Sequence, residues 1–518
     1  MASLNHSQLG HIKGLSLHDQ GVVQYLGIQY ATLANPFASP ELRTNYEGTI
    51  NATSRGPPVV RPPIACDIEF GLIQKALDKP EYPPMSDVNG LNLDITIPEE
   101  ATANLDAKLP VLVFIHGGAF IIGDSGAPHQ DMAAIVAYSQ SIGKPMIGVS
   151  INYRLGIAGF LDSHELRASG APANRGLLDQ KTAFEWIRRN IGGFSGDSTR
   201  ITAIGQSAGA SSVMHLLDLE PTLFDRAICL SGNNLAVPMS TRSAAQDAYK
   251  SVLGCLKIDS TLSSEDQLAA LIAISPENIL SKVSPSISLQ PVIDADEQPS
   301  FKGIETHLAS RSYKTPLMIG STDFDAVIFQ VLGLFEGRKL GFLAREFTKN
   351  LTDHVPATHR AKIESLVALY DISVEDGDDE TRVKIIQFAT DLKYYATSKH
   401  YASSWPTQSW LYYFNESNPW EGPHQGRSAH CLDTAYLFLN YNSVMNDSQK
   451  EIATGFARDV IEFTNGGSHW GEFHSSGEIK VYGTPGKSQA PSEEVQTLWR
   501  NIGLNNLTQG WNAFSARL

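Results

Sequence analysis

Three things are scarce in this chain of 518 residues, and each scarcity excludes something. Long apolar runs are missing. The longest, Ala326 to Phe335, is interrupted by Gln330 and Gly333. A membrane-crossing helix needs about 20 apolar residues, so no membrane span is expected. Cysteine is sparse. Cys66, Cys229, Cys255 and Cys431 match the spacing of neither a zinc site nor a disulfide framework, so no structural metal is expected. Positive charge is short. A net charge of -15 with no Lys/Arg stripe argues against nucleic acid or an anionic membrane as a partner. The first 30 residues hold Lys13, Asp19 and three histidines without an apolar core, so no secretory signal is expected. The six Asn-x-Ser/Thr triplets then read as chance, and a reducing, cytoplasmic location is expected.

What is present is an alternation of short apolar runs with helix-length segments. Val111–Ile115 and Met146–Tyr153 are nearly continuous apolar runs, the pattern of strands covered on both faces. Between them, Gln130 to Ser141 can form a helix. Gly176 to Ile191 reads as a second helix, followed by a strand at Ile201–Ile204. Ala227–Leu230, Pro316–Ile319 and Trp410–Phe414 add three more strands. Gly21–Ile28 has the look of a small N-terminal hairpin, and the acidic run Glu375–Glu380 that of an exposed loop. Strands alternating with helices predict an α/β fold with a mostly parallel sheet. Chemistry in such sheets gathers at the carboxyl ends of the strands. Residues 233–314 and 330–406 read as mainly helical insertions over that end of a single domain.

One pentapeptide stands out. Gly205-Gln206-Ser207-Ala208-Gly209 follows the strand Ile201–Ile204 and precedes an apolar helix from Ala210 to Leu217. Strand, Gly-x-Ser-x-Gly and helix form a nucleophile elbow, which pushes the serine hydroxyl out where a base can reach it. A serine nucleophile also needs amide donors for the oxyanion. Ala208 supplies one, and the turn His116-Gly117-Gly118-Ala119-Phe120 offers Gly118 and Ala119. Chain order in this architecture is serine, acid, histidine. Among fifteen histidines, His430 sits in a loop shortly after Trp410–Phe414, although His400, His424, His469 and His474 also lie late enough. The acid should follow an intermediate strand, and Ile319-Gly320-Ser321-Thr322-Asp323-Phe324-Asp325 offers Asp323 and Asp325. One of these two is expected only to cap the following helix.

Taken together these residues resemble the type-B carboxylesterases, the carboxylesterase/cholinesterase group of α/β-hydrolases. The resemblance runs through nearly the whole chain. It is densest in Asn152–Leu161, in Asn174–Gln180 leading into Phe184–Ile191, in Ser195-Gly196-Asp197 and in the elbow. The opening Gln24–Ala31 looks like filamentous-fungal members. The resemblance implies Ser207 as nucleophile, His430 as base and Asp325 as acid, with Gly118, Ala119 and Ala208 as the oxyanion hole. It implies Ser231 as a serine hydrogen-bonded to the acid, Asp433 as a nearby structural carboxylate, and Arg154 and Asp179 as buried residues that hold the fold. The chain departs from the pattern in four places. The acid is Asp where Glu is usual, which leaves Asp323 as a substitute. Ala119 stands where many relatives have Gly, and Gln206 where cholinesterases have Glu. Cys66 lacks a cysteine partner near Gly90.

The function expected is hydrolysis of a small-molecule ester through an acyl-enzyme, without metal or cofactor. Activity should fall below about pH 6–7 as the histidine gains a proton. The same machinery could pass the acyl group to another acceptor or open a lactone. A non-catalytic binding relative is the rival of a different class. Trp405, Trp410, Phe414 and Trp420 could line an apolar substrate pocket, although such aromatics are more often core.

Overall fold

Alternation along the strands decides the layering. In the computed structural model, which describes residues 1–218, 223–293, 308, 313–339, 341–484 and 491–516, the apolar run at 111–115 belongs to the strand Leu109–Ile115. Its Leu112 and Phe114 enter one core, whereas Val111, Val113 and Ile115 enter another. Ile228 and Leu230 divide from Ala227 and Cys229 in the same way, as do Met318 from Leu317 and Ile319. Successive side chains of a strand point to opposite faces, so a run with no polar break requires cover on both. Helices supply it. Arg175–Asn190 and Ala208–Leu216 cover one face, and Ala133–Ser141 and Asp447–Thr464 the other.

In chain order the main strands are β1 (Ala2–His6), β2 (Gly10–Leu17), β3 (Val22–Gln29), β4 (Asn92–Pro98), β5 (Leu109–Ile115), β6 (Ile147–Ile151), β7 (Gly196–Gln206), β8 (Arg226–Leu230), β9 (Leu317–Thr322), β10 (Ser409–Phe414) and β11 (Ile479–Tyr482). Across the sheet they run β1-β2-β3-β4-β6-β5-β7-β8-β9-β10-β11, with the short strand Ile50–Ala52 paired to β2. Pairing is antiparallel from β1 to β6 and parallel from β6 to β11. The architecture is that of an α/β-hydrolase.

Two local readings change. Gly21–Ile28 is not itself a hairpin. It is one strand, β3, which pairs with β2 across the turn at 18–21 and with β4 on its other side. The acidic run does not end in a loop, because Asp378, Asp379 and Glu380 form the first turn of the helix Asp378–Thr390. Carboxylates there complement the positive end of the helix dipole. The stretch Ala326 to Phe335 contains only the short helix Val327–Val331. Of the segment read as an insertion at 233–314, the helices Arg242–Leu256, Ser264–Ile272 and Pro276–Lys282 are seen. Residues 294–307 and 309–312 lie outside the described residues.

Candidate active site

The elbow follows from close backbone approach. β7 ends at Gln206, and the helix Ala208–Leu216 starts one residue after Ser207. Ser207 is held at φ 55°, ψ -119°, a conformation that costs a non-glycine residue on the order of 1–3 kcal/mol. A Cβ on Gly205 would lie 2.2 Å from the Gly209 carbonyl oxygen, and one on Gly209 would lie 2.0 Å from that of Ile115. Only glycine lets strand, turn and helix meet. Ser207 N–H donates to the Leu230 carbonyl at 2.9 Å, which ties the turn to β8.

The turn after β5 approaches the same point. Gly118, Ala119 and Phe120 all have positive φ, at 98°, 52° and 63°. Their path is fixed from both sides. The Gly118 carbonyl accepts the amides of Ile121 and Ile122, each at 2.9 Å. His116 stacks on Tyr153 with centroids 4.5 Å apart, and the Tyr153 hydroxyl donates to the His116 carbonyl. Burial drives the His116 pKa down, which keeps this packed ring neutral. Gly118 and Ala119 line a cavity together with Ser207. The Ala208 amide opens its helix, where backbone donors lack intrahelical partners and the dipole is positive. Among the described residues no carbonyl accepts from the amides of Gly118, Ala119 or Ala208.

His430 lies in the same cavity. Its Nδ1 is 2.7 Å from Asp325 Oδ1, and Asp325 Oδ2 accepts the Thr322 amide at 2.7 Å. Both residues are almost wholly buried. The loop after β9 is stitched to the histidine loop by a β-bridge between Phe324 and Ala429, with the Phe324 amide on the Ser428 carbonyl at 2.9 Å. That stitch brings an aspartate, one methylene shorter than glutamate, within reach of the ring. Asp323 faces elsewhere and accepts the Tyr413 hydroxyl at 2.8 Å. Neither aspartate caps the helix that follows, whose N-cap is Ala326 without a side-chain bond.

Ser231 is found on a different carboxylate from the one expected. Its hydroxyl donates to Asp433 Oδ2 at 3.1 Å, beside the Tyr412 hydroxyl at 3.0 Å. Burial, and then the nearby Asp325 charge, push the Asp433 pKa up to about 6. Two carboxylates facing one imidazole repel each other, and the hydroxyl donors attend the one that does not touch His430. Arg154 and Asp179 make a buried two-pronged ion pair, with Nη2–Oδ1 at 2.7 Å and Nε–Oδ2 at 2.8 Å. Neither residue lines the cavity.

The cavity has a volume of about 520 Å³. Trp405, Trp410, Phe414 and Trp420 do not line it. All four are packed in the core, for example Trp405 against Tyr313 and Trp420 against Tyr441. Its wall is aliphatic instead, with Ile121, Ile122, Leu155 and Ile157 below and Leu271, Ile279, Leu280 and Val283 above. Phe37 is its one aromatic hydrocarbon among the described lining residues. Glu69, Asp87, Glu336 and Gln206 also line it, and none of them was singled out as a site residue in the sequence. Gln206 had a signal, its place inside the elbow. Glu69 had none.

The carboxylesterase family profile matches residues 2–505. The chain belongs to that family. It is a carboxylic ester hydrolase. Para-nitrobenzyl esterase of Bacillus subtilis (strain 168) is 29% identical over 471 residues, covering 86% of this chain and 85% of the relative. Acetylcholinesterase of Bungarus fasciatus is 28% identical over 557 residues, covering 99% and 86%. A solved PNB esterase superposes with a TM-score of 0.74 at 24% identity, over 96% of this chain and 99% of that one. This family member contains no described helix long and apolar enough to cross a membrane. Its four cysteines are free.

Proposed function

We propose that this carboxylesterase cleaves neutral, largely aliphatic esters through an acyl-enzyme on Ser207. The observation that carries the reading is the short contact of Asp325 with His430, whose cavity is also lined by Ser207, Gly118 and Ala119, while among the described residues no carbonyl accepts from the amides of Gly118, Ala119 or Ala208. Asp325 keeps the proton of the imidazole on Nδ1, so Nε2 presents a lone pair and acts as the base. Ser207 Oγ loses its proton to Nε2 as it attacks the acyl carbon. The amides of Gly118, Ala119 and Ala208 receive the oxyanion. The imidazolium then returns its proton to the leaving alcohol. Water repeats the sequence on the acyl-enzyme and frees the acid. Asp433 and Ser231 support the floor without entering these steps.

The substrate class follows from the wall. Quaternary cations are received by aromatic faces, and this cavity offers aliphatic ones. Leu271, Ile279 and Leu280 suit a hydrocarbon chain. At the mouth, Ile64, Val331 and Leu332 are 59%, 46% and 45% exposed, so the apolar track continues to the surface. Four unpaired thiols favour a reducing compartment as the place of work.

The test is labelling with a fluorophosphonate probe, read by intact mass and peptide mapping beside Ser207→Ala. One adduct on Ser207, absent in the variant, is expected. Folded protein that takes no adduct, or takes one elsewhere, overturns the reading. A series of p-nitrophenyl esters with added alcohol as a competing acceptor then separates hydrolysis from acyl transfer.

A further inference from the structure

Gln206 is the last residue of β7 and is almost fully buried. Its side-chain nitrogen lies 3.1 Å from His430 Nε2 and 3.4 Å from Cys431 Sγ. The His430 Nδ1 proton faces Asp325 at 2.7 Å, so Nε2 is a lone pair. Only the amide N–H₂ end of Gln206 can meet a lone pair, which fixes the orientation of the carboxamide. The opposite end has nothing in return. Gln206 Oε1 is buried and has no hydrogen-bond partner among the described residues. It fills the space that Gly117 leaves empty, where a Cβ would lie 2.2 Å from it. A buried carbonyl oxygen without a donor is unfavourable, so the contact to Nε2 is made against that preference. Among the described residues no hydrogen bond joins Ser207 Oγ to His430.

We propose that Gln206 is a positioning residue that caps His430 Nε2 and yields it to Ser207 when substrate enters. The proposal rests on the reading of Ser207 and His430 as nucleophile and base. Its chemistry is one hydrogen bond exchanged for another at the same nitrogen. A donor on Nε2 stabilises the neutral ring alone. The cap therefore favours the form of the ring that can take the Ser207 proton. A carboxylate in the same place would do the opposite and hold the imidazolium. The other groups facing this ring are Asp325 at Nδ1, the Tyr394 ring 5.7 Å away, Cys431 next along the chain and Asp433 beyond it. Glu69 acts from the N-terminal wall through Cys431. Among the described residues Gln206 alone hydrogen-bonds Nε2.

The experiment is the rate of fluorophosphonate attachment to Ser207 between pH 5 and 9 in the wild type, Gln206→Met and Gln206→Glu, with melting curves for each. The acid limb is expected to move up by about half to one pH unit in Gln206→Met, a three- to tenfold loss of rate on the limb. It is expected to move by about 1–3 units in Gln206→Glu. Glu has the shape of Gln, so it carries the comparison if the Met variant does not fold. Limbs that coincide, with normal labelling at Ser207, overturn the Gln206 proposal and leave the esterase reading standing. Absence of labelling in the folded wild type overturns both.

Discussion

The floor and the roof of the cavity are built on different terms. The floor is lined by Gly118, Ala119, Ser207 and His430, in the segments that follow β5, β7 and β10, with Ala208 next to Ser207 and Asp325, after β9, against His430. Its positions are set by backbone contacts so close that a single added Cβ has nowhere to go. The roof comes from the helical stretch 264–287 and from Ile328 to Leu332. Apart from the buried Leu271, its lining side chains are half-buried or exposed, and the apolar ones meet the cavity as bulk hydrocarbon. In the proposed function the floor sets which bond is broken, and the roof sets which molecule can offer that bond. The two can change independently, because a shift of side-chain volume in the roof leaves the backbone of the floor alone.

Substitutions sharpen that contrast. The largest effect is expected from Gly209→Ala. Its Cβ would stand against the Ile115 carbonyl, and neither atom is the end of a flexible chain. A loss of about 3 kcal/mol or more and of all Ser207 labelling is expected, read by urea melts and by the probe. Asp325→Asn comes next, with kcat lower by about 10⁴-fold and a nearly unchanged melting temperature. Asp323→Asn, two residues away, should leave kcat close to wild type, and equal losses in both would break the assignment of the acid. In the roof, Leu280→Trp should reduce kcat/KM for octanoate relative to acetate esters by about 10–100-fold while leaving the rate of fluorophosphonate labelling intact. A uniform loss across chain lengths would show that roof and floor are not separable.

The smallest effect concerns Asp433. Its carboxyl is held at about 6 by burial, above the usual carboxylate range near 4. Between about pH 4 and 6 the folded protein keeps a proton that the unfolded chain has released. Stability from this group is thus fully present below about pH 4 and declines as pH rises through 6. The Asp433→Asn variant does not titrate. Wild type should lose stability relative to it across that window, on the order of 1–2 kcal/mol, followed by thermal melts at fixed ionic strength. A difference constant with pH would place the Asp433 proton elsewhere.

The floor was readable in the sequence for the same reason that it is rigid. Steric demand at 205 and 209 leaves a glycine signature, and strands covered on both faces leave unbroken apolar runs. What escaped was set by distant partners. β4 carries Asp94 between Leu93 and Ile95, and a charge in a short strand reads as a surface position. Here it is buried against Arg55 and the Gly27 amide. β11 is four residues long and borrows its register from β10. Asp323 and Asp325 could not be told apart from two residues of spacing, because the Phe324–Ala429 bridge that turns one of them toward His430 joins distant segments. The partner of Ser231 was invisible in the same way, since Asp433 lies 202 residues further on. The roof left only a compositional trace. Aliphatic side chains at 271–287 look like any helix face, and the tryptophans that suggested a pocket serve the core.

The Phe324–Ala429 bridge also dates the onset of activity when the chain folds. Asp325 and His430 are 105 residues apart in the chain, and they meet only after β9 and β10 have paired in register. Contacts of such long separation form late, because the intervening chain must first surrender its loop entropy. Helix formation and collapse need no such closure. After dilution from denaturant, esterase turnover should return more slowly than helical circular dichroism, and its half-time would serve as a clock for the last pairing of the sheet.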